Sequence, residues 1–358
     1  MICKTPVTFL VYNRPEKTIR SFEAIRSARP KQLFIVADGP KDEKDRLQVN
    51  QTREILNNID WDCEVTRIYS EINMGCALRV SSGINEVFCK VDQSIIIEDD
   101  IVASDSFFEF QEQMLDRYKD DERVMMVTGW NSFVEYSIEG YDGFFSQTSA
   151  IWGWGTWKRA WAHYRFDPLE NGVIDKINIE KQLNNYMDDP FWVSYHLQCM
   201  EARIWEKLNT WDYQWALAMY IQQGFCITPL SSQCLNIGFD EQATNTKSTH
   251  PTTFMPVKLQ EVLILPNLRI CELTTPDTLW YDRASLILYL LMMQSDLRVL
   301  YLYHKHPNLL PIGSERKGWE LYLGVFRYPN TCLEILDLLE KYIDKSKLAP
   351  IREIFNRI

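Results

Sequence analysis

The chain has 358 residues, 46% hydrophobic and 24% charged, with a formal net charge of −11. That length allows a large buried core and suggests about two domains, and the composition is that of an ordinary globular protein. The acidic balance excludes a protein that wraps nucleic acid, because no surplus of Lys and Arg is present to neutralise phosphates.

In chain order, Val7 to Val11 is an apolar run that predicts a first strand, broken at Asn13-Arg14-Pro15. Ile19, Phe22 and Ile25 follow at helical spacing. Leu33 to Ala37 reads as a second buried strand, stopped by Asp38-Gly39-Pro40, and a polar helix with Leu47, Ile55, Leu56 and Ile59 comes next. A strand near Val65 to Tyr69, a turn at Asn73-Met74-Gly75, a helix from about Cys76 to Phe88 and a strand over Ser94 to Ile97 complete the series. This alternation predicts an α/β fold with a mostly parallel central sheet and helices on both faces. Ser106-Phe107-Phe108-Glu109 has the form of a capping box opening another helix, and Val124 to Val127 reads as a further strand.

From about Gly129 to Gln242 tryptophan and tyrosine become dense and long periodic stretches fewer. A helical C-terminal extension starts near Thr275, where Pro276 suits a first helical position and Leu286, Tyr289, Leu290, Met293 and Leu297 share one stripe. The stretch from Thr331 to Phe355 is amphipathic. Nine cysteines, an odd number without a C-x-x-C pair, fit reduced thiols. Met1 to Tyr12 lacks the features of a signal peptide. The apolar run Leu286 to Met293 is too short to span a bilayer and is flanked by charges. A cytoplasmic protein is expected, with contact at the inner face of a membrane left open.

The most informative stretch is Ser94-Ile95-Ile96-Ile97-Glu98-Asp99-Asp100. A buried strand that ends in three acids delivers them to the sheet edge where α/β folds bind ligands. Clustered carboxylates there suit a hard divalent cation, Mn²⁺ or Mg²⁺, and a cation held by one or two of them keeps positions free for a diphosphate. The competing reading is a solvated acidic turn. A dinucleotide-binding G-x-G-x-x-G after the first strand is absent, as is the P-loop G-x-x-x-x-G-K-[ST].

Tyr12-Asn13-Arg14-Pro15 after the first strand, Asp38-Gly39 after the second, Asn73-x-Gly75-x-x-x-Arg79 and Glu98-Asp99-Asp100 together resemble the GT-A glycosyltransferases. The Glu-Asp-Asp form of the acidic motif looks like the N-acetylglucosaminyltransferase I branch. Trp152-Gly153-Trp154-Gly155-Thr156-Trp157 and Asn236-Ile237-Gly238 are similar to bacterial family-2-like glycosyltransferases. The resemblance covers residues 5 to about 250 and implies a Rossmann-like GT-A domain over 1–270, with a nucleotide-sugar half at 1–128, an acceptor-facing half at 129–270 and a helical region at 271–358. It implies that Asp100 holds the metal, while Glu98 and Asp99 face sugar and ribose and Asn13 and Arg14 lie at the donor.

Asp38 at its strand end is placed to accept from a uracil or ribose, or else to cap its own turn. Arg79, on the first turns of a helix whose N-terminus favours anions, is placed to steady the diphosphate or base, or else is a surface arginine. Inverting transfer needs a carboxylate to take the acceptor proton. Asp212, in the first turn of a helix that Thr210 would cap, is the candidate, with Asp240 and Glu241 in reserve. Trp152, Trp154 and Trp157, spaced by glycines, are expected to line an acceptor cleft, against the alternative of a tryptophan core. Ala243-Thr244-Asn245-Thr246 departs from the Ala-Thr-His-Thr string of the resembling proteins, with His250 nearby, and Asp240 to Thr249 reads as a loop that closes over the donor. His304 and His306 read as a helix end.

The expected partners are a nucleoside-diphosphate sugar, most simply a UDP-sugar, and a saccharide or lipid-linked acceptor. The C-terminal helices leave dimerisation, membrane docking or cover of the acceptor site open. Two other functions compete: a sugar-nucleotide nucleotidyltransferase, disfavoured by the missing glycine-rich entry loop, and a non-catalytic carbohydrate-binding or scaffolding protein.

Overall fold

The strands form where apolar and β-branched residues run without a polar face, as strands covered on both sides must. The computed structural model describes residues 2–133, 135–168, 176–186, 193, 209–238, 267–293, 329–340 and 345–356. β1 (Val7–Val11) is buried at every position, and in β2 (Gln32–Ala37) and β4 (Gln93–Glu98) only the ends are not. β3 (Glu64–Tyr69), at the sheet edge, is mostly half-buried, with Glu64 and Arg67 exposed and Ile68 buried. Three parallel ladders join these strands in the order β3-β2-β1-β4.

Parallel neighbours need crossover helices. These are α1 (Pro15–Ala28), α2 (Glu43–Ile55) and α3 (Cys76–Phe88). α1 packs on α2 at one face of the sheet, and α3 lies against β1 and β2 at the other. The chain then forms β5 (Ile101–Ala103), α4 (Asp105–Arg117), β6 (Val124–Thr128), β7 (Gly143–Ser146), β8 (Trp154–Trp157), the short α5 (Lys158–Trp161) and α6 (Lys176–Tyr186). It continues through α7 (Asp212–Ile221), β9 (Phe225–Pro229), β10 (Cys234–Asn236), β11 (Ile270–Cys271), α8 (Pro276–Met293), α9 (Pro329–Leu339) and α10 (Lys345–Asn356). Among the described residues nine strands make the main sheet, in the order β11-β7-β9-β6-β8-β4-β1-β2-β3, and β10 pairs with β5 in a small second one. β8 runs antiparallel to both β4 and β6 and so joins the two halves. The fold is α/β with a mostly parallel central sheet and helices on both faces.

Three local expectations shift. The cap of α4 is Ser104, which accepts from the Phe107 amide, and Ser106 sits inside the helix with its hydroxyl against that of Ser104. An S-x-x-E pattern two residues later is outbid because Asp105 and Ser106 already fit a helical first turn. On α2 the buried line is Asp45, Val49 and Thr52, and Leu47 is exposed. On α1 Phe22 and Ile25 are buried as expected, whereas Ile19 is exposed and Thr18 and Ser21 take the core face.

α8 begins at Pro276, and Thr275 and Thr278 exchange side-chain-to-backbone bonds at its start. Tyr281 packs edge-on against Phe144, with ring centroids 4.7 Å apart. The buried Asp282 accepts from Ser146 Oγ at 2.5 Å and the Gln147 amide at 3.0 Å, and burial pushes its pKa up to about 6. The start of the helical region is thus bonded to β7, and β11, at the expected boundary near 270, is a strand of the main sheet. The side chains of Leu286 to Met293, and Leu297, His304 and His306, lie outside the described residues. Among the described residues no helix is long and apolar enough to cross a membrane.

Candidate functional site

β1 is flanked by β2 on one side and β4 on the other, so the strand order reverses there and a crevice opens beyond the C-terminal strand ends. Into that crevice β1 delivers Tyr12 and Arg14, β2 delivers Asp38, and β4 delivers Glu98 and Asp99. The cavity they enclose measures about 110 Å³ and is also walled by Gly75, Cys76, Arg79 and Val80 from the start of α3, by Lys41 and Asn73, and by Asn209.

Pro15 opens α1 with its φ preset for a helix, and Arg14 just before it reaches across to β4. Its Nη1 lies 2.8 Å from Asp100 Oδ2 and 3.4 Å from Asp99 Oδ1. Asp99 also accepts from the Tyr12 amide at 3.2 Å, and its carbonyl accepts from Ser21 Oγ at 3.0 Å. The acids outnumber this cation. Burial, then Asp100, Asp99 and Asp212, push the Glu98 pKa well above the carboxylate range, with Arg14 opposing. Burial and Asp100 push Asp99 up to about 7 against Arg14 and the Tyr12 amide. Burial works to lower the Arg14 pKa, but Asp99 and Asp100 outweigh it and raise it. A shortage of positive charge at a strand-end cluster is the condition a divalent cation relieves.

The donor set is all carboxylate, which suits Mg²⁺ or Mn²⁺. Among the described residues no three His, Cys, Asp or Glu side chains group closely enough to enclose an ion. The protein would therefore supply one or two carboxylates. Asp100 follows the two acids that wall the cavity, and its place depends on a glycine: a Cβ on Gly238 would stand 2.3 Å from Asp100 Oδ2. The Ile237 amide donates to the Asp100 carbonyl at 2.8 Å, and Gly238 donates to Asn236 Oδ1 at 2.7 Å. β10 thus brings the Asn236-Ile237-Gly238 turn onto the acidic triplet. Gly238→Ala is expected to leave the melting temperature nearly unchanged while pushing the Asp100 carboxylate aside, weakening Mn²⁺-dependent nucleotide binding about tenfold or more. Calorimetric titration of both proteins checks this; equal affinities would show that the Asp100 position is not needed.

Asn13 and Asp38, both expected at the donor, hold hydrogen bonds within the protein, and Asp38 also walls the cavity. Asn13 Nδ2 donates to Asp45 Oδ1 at 2.5 Å, the Tyr12 hydroxyl donates to Asp45 Oδ2, and Asn13 is not a wall of the cavity. Asp38 Oδ1 accepts from the amides of Gly39 and Met74, both at 2.9 Å, and Oδ2 from the Gly75 amide at 3.0 Å and Asn73 Nδ2 at 3.2 Å. Four donors fill a carboxylate's acceptor capacity. Asp38 therefore shapes the turn that opens α3. Arg79 is not at the surface: it is 6% exposed, lies 3.6 Å from Glu86 through Nη2, and its Nε has no hydrogen-bond partner among the described residues.

Asp212 is the first residue of α7 and accepts from the Thr210 hydroxyl. The cap position falls on Trp211 and not on Thr210, and the helix ends at Ile221, with Gln223 in the left-handed conformation (φ 53°) just beyond it. Asp212 is close enough to help raise both Glu98 and Cys76, whose thiol burial pushes up to about 12. The base candidate therefore lies in the same neighbourhood as the acidic triplet.

The tryptophans divide. Trp154 and Trp157 do not line a cleft: they are 0% and 2% exposed on β8. The glycine between them serves packing, since a Cβ on Gly155 would meet Gln111 Oε1 at 2.5 Å. Trp154 lies 5.6 Å from Trp211 and 5.7 Å from Trp215, the residues that bracket the start of α7, and so it anchors Asp212 from below. Trp154→Ala is expected to cost about 3–5 kcal/mol of stability, measured by denaturant unfolding, whereas Trp152→Ala costs far less. Trp152 is half-buried and packs edge-on to Trp130 at 4.7 Å, the one member of the trio that is not fully buried. Asp240, Glu241, Ala243 to Thr246, the loop to Thr249 and His250 lie outside the described residues.

Lys41, Cys76 and Asn209 were not singled out from the sequence. Cys76 opens the helix after the Asn73-Met74-Gly75 turn, and Asn209 directly precedes Thr210-Trp211-Asp212, so adjacency to those motifs was the available signal.

No protein-family model matches the chain, and no curated protein does. Among solved structures it is similar to 4-diphosphocytidyl-2C-methyl-D-erythritol synthase from Anaerococcus prevotii DSM 20548, at 11% identity and a TM-score of 0.28, over 44% of this chain and 73% of that one. It is also similar to UDP-glucose pyrophosphorylase complexed with UDP-glucose, at 11% identity and a TM-score of 0.22, over 40% of this chain and 64% of that one.

Proposed function

We propose that the protein is a metal-dependent glycosyltransferase of GT-A type that moves a sugar from a nucleoside diphosphate, most simply UDP, to a saccharide or lipid-linked acceptor with inversion. The observation that carries this reading is the acidic cluster at the switch-point end of the sheet: Glu98 and Asp99 wall the cavity with Arg14 and Arg79, Asp100 is bonded to Arg14, and Asp212 is near enough to help raise Glu98. Mn²⁺ or Mg²⁺ held by Asp100 would supply Lewis-acid stabilisation of the leaving diphosphate. Arg14 fixes Asp99 and Asp100 and shares that charge. The start of α3 favours an anion at the cavity wall. Asp212, as general base, takes the proton of the acceptor hydroxyl as that oxygen attacks the anomeric carbon, and Trp152 offers its ring to the acceptor.

Calorimetry and thermal shift with UDP, with and without Mn²⁺, test the donor half. A ligand at about 100 times its dissociation constant stabilises by about 2.7 kcal/mol. No Mn²⁺-dependent gain with any nucleoside diphosphate would sink the reading. Product analysis decides the reaction: release of UDP from a UDP-sugar supports transfer, release of pyrophosphate from UTP and a sugar phosphate would replace it with nucleotidyl transfer, and metal-independent glycan binding without turnover would leave a binding module.

A further inference from the structure

We propose that Asn209 is a ligand-contacting residue of the cavity, its carboxamide oxygen held by α3 so that its NH₂ group donates to a phosphate oxygen of the bound nucleoside diphosphate. This rests on the nucleotide-binding reading above and adds a residue that comes from outside the nucleotide half.

Three observations carry it. Asn209 Oδ1 accepts from the Ala77 amide at 3.0 Å, in the first turn of α3. That bond settles which way the amide faces, because only the oxygen accepts. Nδ2, with two N–H groups, then has no hydrogen-bond partner among the described residues, and Asn209 is a wall of the cavity. Next, the amide lies flat on Gly75: a Cβ there would meet Oδ1 at 3.2 Å and Nδ2 at 3.3 Å, and Gly75 itself has φ +80°. The turn is therefore shaped to receive this side chain. Independently, Arg79 is 6% exposed at the same cavity, and its Nε hydrogen has no acceptor. A buried guanidinium edge without an acceptor is costly and calls for one from a ligand. Asn209 and Arg79 thus offer donors to one space, and an anion with several acceptor oxygens answers both.

The position also ties binding to chemistry. Asn209 stands three residues before Asp212. A ligand that engages its amide holds the segment that aims the general base, so Asn209 acts on substrate affinity directly and on Asp212 through the chain.

Two substitutions separate this role from a mere helix cap. Asn209→Asp keeps an oxygen for the Ala77 amide, and a carboxylate at a helix start is favourable, but it has no NH₂. Asn209→Ala loses both. The melting temperature without ligand and the dissociation constant of UDP with Mn²⁺ are measured for wild type and variants. In the expected result Asn209→Asp melts as the wild type does yet binds UDP with Mn²⁺ at least about tenfold more weakly, and Asn209→Ala loses on both counts. Salt screens a charge inside a cavity only weakly, so repulsion by the added carboxylate is controlled with the neutral Asn209→Ala, whose affinity is read at a temperature where it is folded and must fall as well. Wild-type affinity in Asn209→Asp, or in folded Asn209→Ala, would make Asn209 a cap alone while leaving the nucleotide reading intact. Failure of the wild type to bind any nucleoside diphosphate would overturn both.

Discussion

Asp212→Asn is expected to bind UDP and Mn²⁺ as the wild type does and to lose roughly 10²–10⁴ in turnover, the usual contribution of a general base. The geometry separates the two effects. Asp212 stands on α7 near Glu98, outside the residues that wall the cavity, so its charge is not needed to hold the nucleotide. The bond from Thr210 and the indoles of Trp211 and Trp215 fix its place, and an amide of the same shape keeps the packing. Steady-state kinetics beside calorimetric binding give the answer. Near-normal turnover would move the base to Asp240 or Glu241.

Asp100→Asn acts on the other half. Here Mn²⁺-dependent UDP binding should disappear while the protein stays folded, because an amide oxygen lacks the charge that holds the cation. The partner left behind is Arg14, which keeps Asp99 at 3.4 Å, so the substitution does not strand a buried cation. Circular dichroism reports the fold and titration with UDP and Mn²⁺ reports the site. Unchanged metal dependence would show that the ion is held elsewhere than at the triplet.

The parallel half of the sheet was legible because its signals are local. Val7–Val11 and Cys76–Phe88 form over the residues their patterns indicate, and the acids after Ile97 arrive at the crevice that strand alternation implies. Asp38 and Asn13 stand at the strand ends where the sequence puts them, with hydrogen bonds that it does not show. A sequence shows that a carboxylate ends a strand, but not that Asn73, Met74 and Gly75 will return to saturate it. The Trp154 and Trp157 reading failed for a related reason. Glycine between indoles is compatible with an open cleft and with close strand-to-helix packing, and only Gln111 and Leu115 on α4, pressing on Gly155, decide for packing. Asn209 is a long-range contact to Ala77 that no periodicity announces.

β8 has one more consequence, for the order in which the protein is made. β4, with Ile95 and Ile96 at its centre, is closed on one side by β1 and on the other only by β8. At ~5–20 residues per second, the ribosome releases Glu98 several seconds before Trp157. For that interval a nascent chain with its first four strands assembled carries an apolar strand with an open hydrogen-bonding edge, the kind of edge that pairs with other chains. The four residues Trp154–Trp157 are therefore also the stitch that ends the vulnerable stage of synthesis.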